Sequence, residues 1–459
     1  METHCQNPPL SLITDLKVRR QRSSRIIPPE KTERRSLFLS NMDQVLNFNV
    51  ETVHFFPANP DFPPETVVDI LEAAFQKILM PYDFLAGRLR FNPQQRRLEI
   101  DCNSAGIGFW VASSELSLDE IGDLVYPNPA FRQLIMDKVD NLDADDSPLC
   151  VVQVTTFKCG GFALGLCTNH VTFDGISVKL FLENLASLTD NKPLVLTPCN
   201  DRQLLAARSP PRVTCSHPEL VKLEIPQGNV DEFDQSHTPV FAPAPEDLDF
   251  KIFRLTESDI YNLKQKAAKL GVGESRISSS FNVVTAHVWR CKALAAAADI
   301  TQNDISEKMS TVLYAVDVRS KLTPPLPPSY TGNAVLTAYA MASCHELENA
   351  PFSSLVEKVF EGATRMTDEY IRSAIDWGEL YQGYPLCDLL ISSWWKLGFS
   401  EVKYPWGRPK YCCPIIHHKK DVILFFPDIE RGQNALNIFV ALPHKEMDKF
   451  QALFNKFLA

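Results

Sequence analysis

The chain has 459 residues, about three times the length of a typical single domain, so it can form two domains with substantial cores. Hydrophobic residues make up 45% and charged residues 22%, a composition typical of soluble globular proteins. The formal net charge is −10, and Lys and Arg form no basic run or tail, which disfavours nucleic-acid binding. No window approaches the length and apolarity of a membrane span, so we expect no membrane partner.

The cysteine pattern indicates a reducing compartment. Twelve cysteines are scattered without any C-x-x-C pair, which favours free thiols over a disulfide framework. The N-terminal stretch has no apolar signal-peptide core, so we expect a cytoplasmic protein. Cys412-Cys413 stand close to His417-His418, but adjacent side chains point in different directions and no second cluster has ligand spacing. We therefore expect no metal site.

Short strands and helices follow one another in the first half of the chain. Alternating apolar residues over 48–55 predict a strand, and residues 65–79 predict a helix with Pro64 in its first turn. Apolar runs over 151–157 and 162–167, separated by turn residues, predict a β-hairpin. The other elements predicted here are strands near 10–27, 82–89, 98–102 and 109–112, and helices over 117–125 and 176–188.

The second half begins after a long segment, residues 189–249, that is rich in proline and polar residues. A connection of this length inside a compact chain is usually a linker or a functional loop, so we predict a crossover between two domains. The elements predicted beyond it are strands at 251–255, 311–318, 334–342, 421–426 and 435–441, and helices at 256–270, 278–297, 353–372 and 445–458. Strands and helices that mix without strict βαβ alternation predict an α+β fold of mixed layers.

One short stretch, Asn169-His170-Val171-Thr172-Phe173-Asp174-Gly175, lies between the predicted hairpin and the helix over 176–188. A histidine at the end of a buried strand can be held rigidly and still face a channel, which suits a general base. Most histidines have structural roles, however, and H-x-x-x-D arises by chance in many proteins. The motif alone therefore leaves both readings open. No G-x-G-x-x-G, P-loop or G-x-S-x-G motif points to a nucleotide site or a serine hydrolase.

Seven segments, read in order, resemble the plant BAHD family of acyl-CoA-dependent acyltransferases. In chain order they are YDFLAGRLRFN, HVTFDG, DRQLLAARSPP, SSFNVVTAHVWRCKALA, VDVRSKLTPPLPPSYTGNA, SSWWKLGFSEVKYPWGRP and LNIFVALPHKEMDKF. The resemblance implies two chloramphenicol-acetyltransferase-like domains with a channel between them. The expected division is residues 1–188, a crossover loop over 189–249, and residues 250–459, with part of 370–410 packing on the N-terminal domain.

The resemblance also implies a mechanism. Neutral His170 would accept the proton of an acceptor hydroxyl while the oxygen attacks the thioester carbonyl of an acyl-CoA, and would then return the proton to the CoA sulfur. Acyl-CoA is a co-substrate, and neither a permanently bound cofactor nor a covalent acyl-enzyme is implied. Asp174 is expected to support the loop instead of relaying a proton.

An acceptor pocket is implied around Phe173, Ser392 and Trp394. A Ser hydroxyl there would donate to the tetrahedral oxyanion, and the indole would form a wall of the pocket. The alternative for residues 392–394 is a strand with one packed tryptophan.

The CoA side is implied to contain Ser279, Ser280 and Thr285. Capping of the helix over 278–297 explains at least one of these serines equally well. Asp317 and Arg319 are expected to form a local ion pair and not to contact a ligand.

Two departures from the family pattern bear on substrate and loop structure. The second family signature, Asp-Phe-Gly-Trp-Gly, is replaced by Lys403-Tyr404-Pro405-Trp406-Gly407, which predicts an altered loop with catalysis retained. The segment before Ser392 has Asp388 as its only charged residue and lacks the arginine that family members use for carboxylate-bearing acceptors.

We therefore expect a neutral alcohol acceptor from plant specialised metabolism, with phenylpropanoid alcohols such as coniferyl alcohol as candidates. Two alternatives stay open. One is an N-acyltransferase that forms amides, with Asp388 facing the amine, and the other is a non-catalytic family member that acts as a partner scaffold. Since the family site lies within one chain, we expect a monomer.

Overall fold

The computed structural model describes residues 12–126, 128–136, 146–222, 247–268, 279–297, 308–381, 383–415, 420–429 and 435–459, together with the backbone of residues 5–6. The strands are β1 Cys5–Gln6, β2 Val18–Ile26, β3 Arg35–Phe38, β4 Asn49–Phe56, β5 Arg88–Asn92, β6 Arg97–Cys102, β7 Ile107–Ser114, β8 Cys150–Phe157, β9 Phe162–Asn169, β10 Leu220–Val221, β11 Asp249–Leu255, β12 Met309–Asp317, β13 Val335–Ser343, β14 Tyr384–Pro385, β15 Leu389–Ser393, β16 Tyr411–Pro414, β17 Val422–Pro427 and β18 Leu436–Leu442.

The α-helices, numbered along the described chain, frequently begin at a polar cap or a proline. They are α1 Asn41–Gln44, α2 Pro64–Ile78, α3 Leu118–Ile121, α4 Gly175–Thr189, α5 Glu257–Ala268, α6 Ser280–Ala297, α7 Cys344–Asn349, α8 Phe352–Thr364, α9 Asp368–Tyr381 and α10 His444–Leu458.

Two mixed sheets organise these elements. The first has six strands in the order β16-β4-β9-β8-β7-β2, and the second has seven in the order β1-β11-β18-β17-β15-β12-β13. Most neighbours are antiparallel, but β7 with β8, β12 with β15 and β15 with β17 are parallel. This arrangement gives the mixed layers that the sequence predicts.

Strand alternation lets each sheet bury both of its faces. On β4, Phe56 faces a core that contains α2 and α4, while Val53 and Phe55 face the opposite way. On β18, Ile438 and Val440 belong to the core under α5, α6 and α10, whereas Phe439 turns toward the first sheet. Because successive side chains point to opposite faces of a strand, the same strands build their own domain and the contact between domains.

The chain order of the domains is broken near residue 400. Strand β16 pairs with β4 in the first sheet, with Cys412 opposite His54, although it lies late in the sequence. The domain boundaries at 188 and 249 stay a prediction, but residues 411–414 clearly pair within the first sheet.

The described part of the crossover is tied to helix α9. The Arg208 Nε donates to Asp376 at 2.6 Å, and the Ser373 hydroxyl accepts from the backbone N–H groups of Thr214 and Cys215, both at 3.0 Å. Farther along, β10 pairs with β14. These contacts fix the crossover up to residue 222.

Two helix predictions need correction, and at least one helix was not predicted. The helix predicted over 353–372 is two helices, α8 and α9, because the Thr367 hydroxyl accepts from the Tyr370 N–H and starts a new helix. The helix predicted over 117–125 covers only α3, whose last residue is followed by Gly122 at φ 82°. Helix α7 was not predicted, and Ser343 and Glu346 start it with a reciprocal capping box.

Among the helices in the described parts of the chain, none combines the length and apolarity needed to cross a bilayer.

We predict that Phe439→Ala lowers the free energy of unfolding by about 3–5 kcal/mol, because it opens a cavity between the two sheets. The Phe439 side chain is 5% exposed and stacks on Phe250 at 5.9 Å. Urea denaturation gives the cost, with Phe91→Ala as control, since Phe91 is 48% exposed and its truncation should change stability by about 0.5 kcal/mol or less. Equal costs for the two variants would contradict the assignment of Phe439 to the interdomain core.

Candidate active site

The H-x-x-x-D loop is the turn between the central strand β9 and helix α4. The His170 N–H donates to the Phe48 carbonyl at 2.8 Å, which extends the β4–β9 pairing by one residue. The Asn169 side chain then accepts from the Val171 N–H at 3.0 Å, and its carbonyl accepts from the Thr172 N–H at 3.0 Å. The backbone that carries His170 is therefore fixed on both sides.

The His170 ring is partly exposed and makes an edge contact with the Phe48 ring, with centroids 5.2 Å apart. Its Nδ1 is buried and has no hydrogen-bond partner among the described residues. Burial lowers the pKa of His170 below its ordinary value of 6.5, and the negative charges of Asp174 and Asp43 only partly offset this. A lowered pKa favours the neutral imidazole, which is the form that can accept a proton.

Asp174 lies at the N-terminus of α4 and bonds away from His170. Its carboxylate caps the helix through the Ser177 N–H at 3.0 Å and pairs with Arg319, Oδ2 to Nη1, at 2.9 Å. Its Oδ2 also accepts from the Ala334 N–H at 3.0 Å. Burial pushes the pKa of Asp174 up, but the Arg319 charge and these hydrogen bonds hold it below its ordinary value of 3.8.

Arg319 makes the predicted local pair with Asp317, Nη1 to Oδ1, at 3.0 Å. Its second and more buried partner, Asp174, was not predicted from the sequence. Because the two residues are 145 positions apart, no local pattern marks this contact.

Three further residues around the loop were also missed: Asp43, Arg202 and Asn333. The Arg202 Nη2 donates to the Thr172 carbonyl at 2.8 Å, and the Asn333 Nδ2 donates to the His170 carbonyl at 2.8 Å. Both also bond to the Asp43 carboxylate. Arg202 and Asn333 lie in two of the segments that carry the family resemblance, DRQLLAARSPP and SYTGNA, which is the only sequence signal for them.

Phe173 requires a correction. Its side chain is 3% exposed and packs against Phe84 and Phe181, with ring centroids 5.6 and 5.3 Å away. It belongs to the core between α4 and the first sheet, so it does not line an open acceptor pocket. Successive residues of the motif loop point in different directions, and the ring of Phe173 turns into the core.

Ser392 and Trp394 lie at the end of β15, both partly buried. Ser392 is in register with Leu424 of β17, which places it on the sheet face that turns toward the first domain. Trp394 packs against the core of that domain and against the interdomain core that contains Phe439. Three residues later, Leu397 contacts the start of α4, since a Cβ added to Gly175 would lie 2.6 Å from its Cδ1. The structure thus brings this segment to the motif.

The predicted CoA residues at the start of α6 separate into two groups. Ser279 is exposed, and its hydroxyl accepts from the Asn282 N–H at 3.1 Å, as a helix cap does. Ser280 is partly buried at the first position of the helix. Thr285 is 0% exposed within the core of the second domain, which corrects its predicted contact with CoA.

The Tyr404-Pro405-Trp406-Gly407 segment is a tight turn. The N–H of Tyr404 and that of Gly407 each donate to the other residue's carbonyl at 3.0 Å, and Gly407 adopts φ 123°, a conformation that suits glycine. The Tyr404 and Trp406 rings stack at 5.2 Å and pack against Phe56 of β4. This turn is therefore an anchor on the first domain.

Lys403, before this turn, is exposed. Its side chain forms no ion pair with the residues that the structure describes. Within the same residues, no three His, Cys, Asp or Glu side chains cluster as metal ligands. His417 and His418, considered above with Cys412 and Cys413, lie outside the described residues.

We predict that Arg319→Gln lowers the free energy of unfolding at pH 7 by about 3–5 kcal/mol, because it leaves the buried Asp174 carboxylate without its counter-ion. The double variant with Asp174→Asn should cost clearly less than the sum of the single variants. Urea denaturation of all three gives the coupling. The exposed pair Arg22–Glu72 is the control, since Arg22→Gln should cost about 1 kcal/mol or less. Strictly additive costs would contradict the pairing.

Comparison with known proteins gives the chain a family. Residues 16–457 match the Transferase family. The chain is 56% identical over 450 residues to Acyltransferase GLAUCE of Arabidopsis thaliana, covering 98% of both chains, and 33% identical over 441 residues to an omega-hydroxypalmitate O-feruloyl transferase of the same species, covering 95% of this chain and 92% of that one.

Solved structures share the fold. Vinorine synthase superposes with a TM-score of 0.73 at 22% identity, covering 94% of this chain and 96% of that one. F. graminearum TRI101, crystallised with coenzyme A and deoxynivalenol, gives a TM-score of 0.70 at 15% identity, covering 91% of this chain and 97% of that one. These likenesses confirm the predicted two-domain fold class. With the family match and the named relatives, they show that the chain belongs to the Transferase family of BAHD acyltransferases and is an acyltransferase enzyme.

Proposed function

We propose that the enzyme transfers an acyl group from a CoA thioester to the hydroxyl of a neutral alcohol, with His170 as general base. The observation that carries the proposal is the setting of His170: a partly exposed residue whose backbone is held by hydrogen bonds at the turn between β9 and α4, and whose pKa is lowered by burial. The names of the relatives agree with acyl transfer to a hydroxyl, since one is named for ω-hydroxypalmitate and another for a fatty alcohol and caffeoyl-CoA. Of these two acceptors, the fatty alcohol is the one without a carboxylate.

The proposed step needs no protein nucleophile. Since Nδ1 is buried, Nε2 is the nitrogen that we assign to the reactants. It accepts the hydroxyl proton as the acceptor oxygen bonds to the thioester carbonyl carbon. When the tetrahedral intermediate collapses, the C–S bond breaks and the imidazolium returns the proton to the departing sulfur, which gives an ester and free CoA. Asp174 takes no part in this transfer, as its carboxylate is held by Arg319.

We assign the acceptor side to Ser392 and Trp394. Ser392 lies on the sheet face that turns toward the first domain, and its hydroxyl is our candidate donor to the oxyanion. The Trp394 ring packs edge-on against Phe399 at 5.6 Å and offers an aromatic wall. The exposed Ser279 and the partly buried Ser280 remain the candidates on the CoA side.

The position of Asp388 favours an alcohol over an amine. Its Oδ2 accepts from the Thr311 N–H at 2.8 Å, so the carboxylate is occupied by the backbone of β12. Thr311 lies six residues before Asp317 on that strand, about 20 Å from the end that meets Asp174. An ammonium group beside His170 would therefore lie far from this carboxylate. We propose phenylpropanoid alcohols such as coniferyl alcohol and long-chain alcohols as the first acceptors to test, with one chain carrying the whole site.

We expect His170→Ala to reduce acyl transfer by about 10²- to 10⁴-fold, because the acceptor hydroxyl then lacks its base. Free CoA is measured after the protein is offered acetyl-, benzoyl-, coumaroyl- and feruloyl-CoA against alcohols and against amines. His345→Ala is the matched control, since His345 is exposed on α7. Undiminished release by His170→Ala would refute the base assignment. Release with amines alone would favour the amide-forming reading, and no release from folded protein would favour a scaffold.

The pH dependence follows from the lowered pKa of His170. The neutral imidazole is the active form, and burial makes protonation harder, so activity should persist as the pH falls below 6.5 and be lost only at a more acidic pH. The acidic limb of kcat/KM, measured with a neutral acceptor, should have its midpoint below 6.5. A midpoint at or above 6.5 would show that burial does not dominate the environment of His170.

A further inference from the structure

Three consecutive carbonyls of the motif loop bond to one buried network. The Asn333 Nδ2 donates to the His170 carbonyl at 2.8 Å. The Arg202 guanidinium donates to the Val171 carbonyl at 3.3 Å and to the Thr172 carbonyl at 2.8 Å. Every peptide carbonyl from His170 to Thr172 thus accepts a hydrogen bond from Asn333 or Arg202.

One carboxylate oxygen joins the donors of this network. The Asp43 Oδ1 accepts from Arg202 Nη1 at 3.1 Å, from Asn333 Nδ2 at 2.8 Å and from the Asn333 N–H at 3.0 Å. Its other oxygen accepts from the N–H and the hydroxyl of Ser40, at 2.8 and 2.7 Å. The amide of Asn333 therefore bridges the Asp43 carboxylate and the backbone of His170.

This pair is completely closed off from water. The side chains of Arg202 and Asp43 are both 0% exposed, so each charge depends on the other. The guanidinium lies over the rings of Phe84 and Tyr330, 5.4 and 6.0 Å from their centroids. A Cβ added to Gly332 would lie 2.7 Å from Arg202 Cδ, so a larger residue at this position would displace the Arg202 side chain.

The charged groups around His170 form two sets, one with a single carboxylate and one with two. Asp43, on α1, is matched by Arg202 from the crossover. Asp174, in the loop itself, is matched by Arg319, which also binds Asp317 at the end of β12. Both Asp43 and Asp174 act to raise the pKa of His170 against the effect of burial.

Given the proposed role of His170 as the base, we propose that Asp43, Arg202 and Asn333 are positioning residues for it. They hold the backbone of residues 170–172. They also place the Asp43–Arg202 ion pair, whose two charges cancel, next to the Asn333 side-chain amide that binds the His170 carbonyl. The crossover contributes to catalysis through Arg202, although Arg202 bonds to the loop backbone and not to the imidazole.

The two charges of the pair should act on His170 in opposite directions. In Asp43→Asn the Arg202 cation is left, which disfavours imidazolium. In Arg202→Gln the Asp43 carboxylate loses its cation but still accepts four hydrogen bonds from Ser40 and Asn333, and its negative charge favours imidazolium. If these residues had only a structural role, activity would fall in both variants, but the protonation of His170 would not shift in opposite directions.

The test is the pH profile of kcat/KM for these two variants and their double variant, with the full chain and a neutral alcohol acceptor. We expect the acidic limb to move to lower pH in Asp43→Asn and to higher pH in Arg202→Gln, each by about one pH unit, and to return close to wild type in the double variant. Arg202→Lys keeps the positive charge but loses the planar guanidinium that donates to two carbonyls at once. In this variant kcat should fall while the acidic limb of the pH profile stays in place.

The outcomes separate this inference from the proposed function. If His170→Ala is inactive but the limbs of the single variants stay fixed or move the same way, the network inference is wrong and the base assignment stands. If His170→Ala remains active, the proposed function itself falls. Should Arg202→Gln fail to fold, Asp43→Asn still tests the direction in which the acidic limb moves. Arg202→Lys still serves as the control that keeps the positive charge. The pH dependence of modification by diethyl pyrocarbonate, measured in wild type and corrected for the modification seen in His170→Ala, reports the protonation of His170 without turnover.

Discussion

Two carboxylates buried beneath the motif loop, Asp43 and Asp174, impose the constraint on which the rest of the site depends. An isolated charge in such a position costs several kcal/mol, so each must have a cation within the protein. The cations come from far along the chain: Arg202 is 159 residues from Asp43, and Arg319 is 145 residues from Asp174. Pairing these charges therefore requires the crossover, which carries Arg202, and the segment after β12, which carries Arg319, to pack against the motif loop. Both segments are thereby placed close to His170.

The sheets provide the frame for that docking. His170 follows the last residue of β9. One face of this strand packs in the core of the first domain, and the other face packs in the core shared with the second domain. Residues 411–414 add a strand to the first sheet, and the stacked rings of Tyr404 and Trp406 seal it against Phe56. Because alternate side chains of the same strands serve both the domain cores and the interface, movement between the domains would disturb the packing within each of them.

Local chemistry was predictable from the sequence, and long-range chemistry was not. The hairpin before His170, helix α4 and the Asp317–Arg319 pair all depend on residues close in the chain, and the patterns predicted them. Asp43, Arg202 and Asn333 meet the motif loop and one another through contacts between residues 30 to 290 positions apart, which leave no periodic signal. Phe173 and Thr285 were misplaced for a related reason: a motif or a helix start shows that a residue is near a site, but not which way its side chain points.

The orientation of His170 distinguishes this site from a hydrolase triad, where a carboxylate binds the second ring nitrogen and stabilises the imidazolium. Here the nearest carboxylate of the motif is committed to Arg319, and Nδ1 has no partner among the described residues. The ring is oriented through its backbone and through Phe48 instead. In the proposed reaction the same imidazole must take a proton from a hydroxyl and give it to sulfur within one turnover. A carboxylate on Nδ1 would make the ring more basic, whereas here burial lowers its pKa and both transfers fall to a backbone-held, weakly basic imidazole.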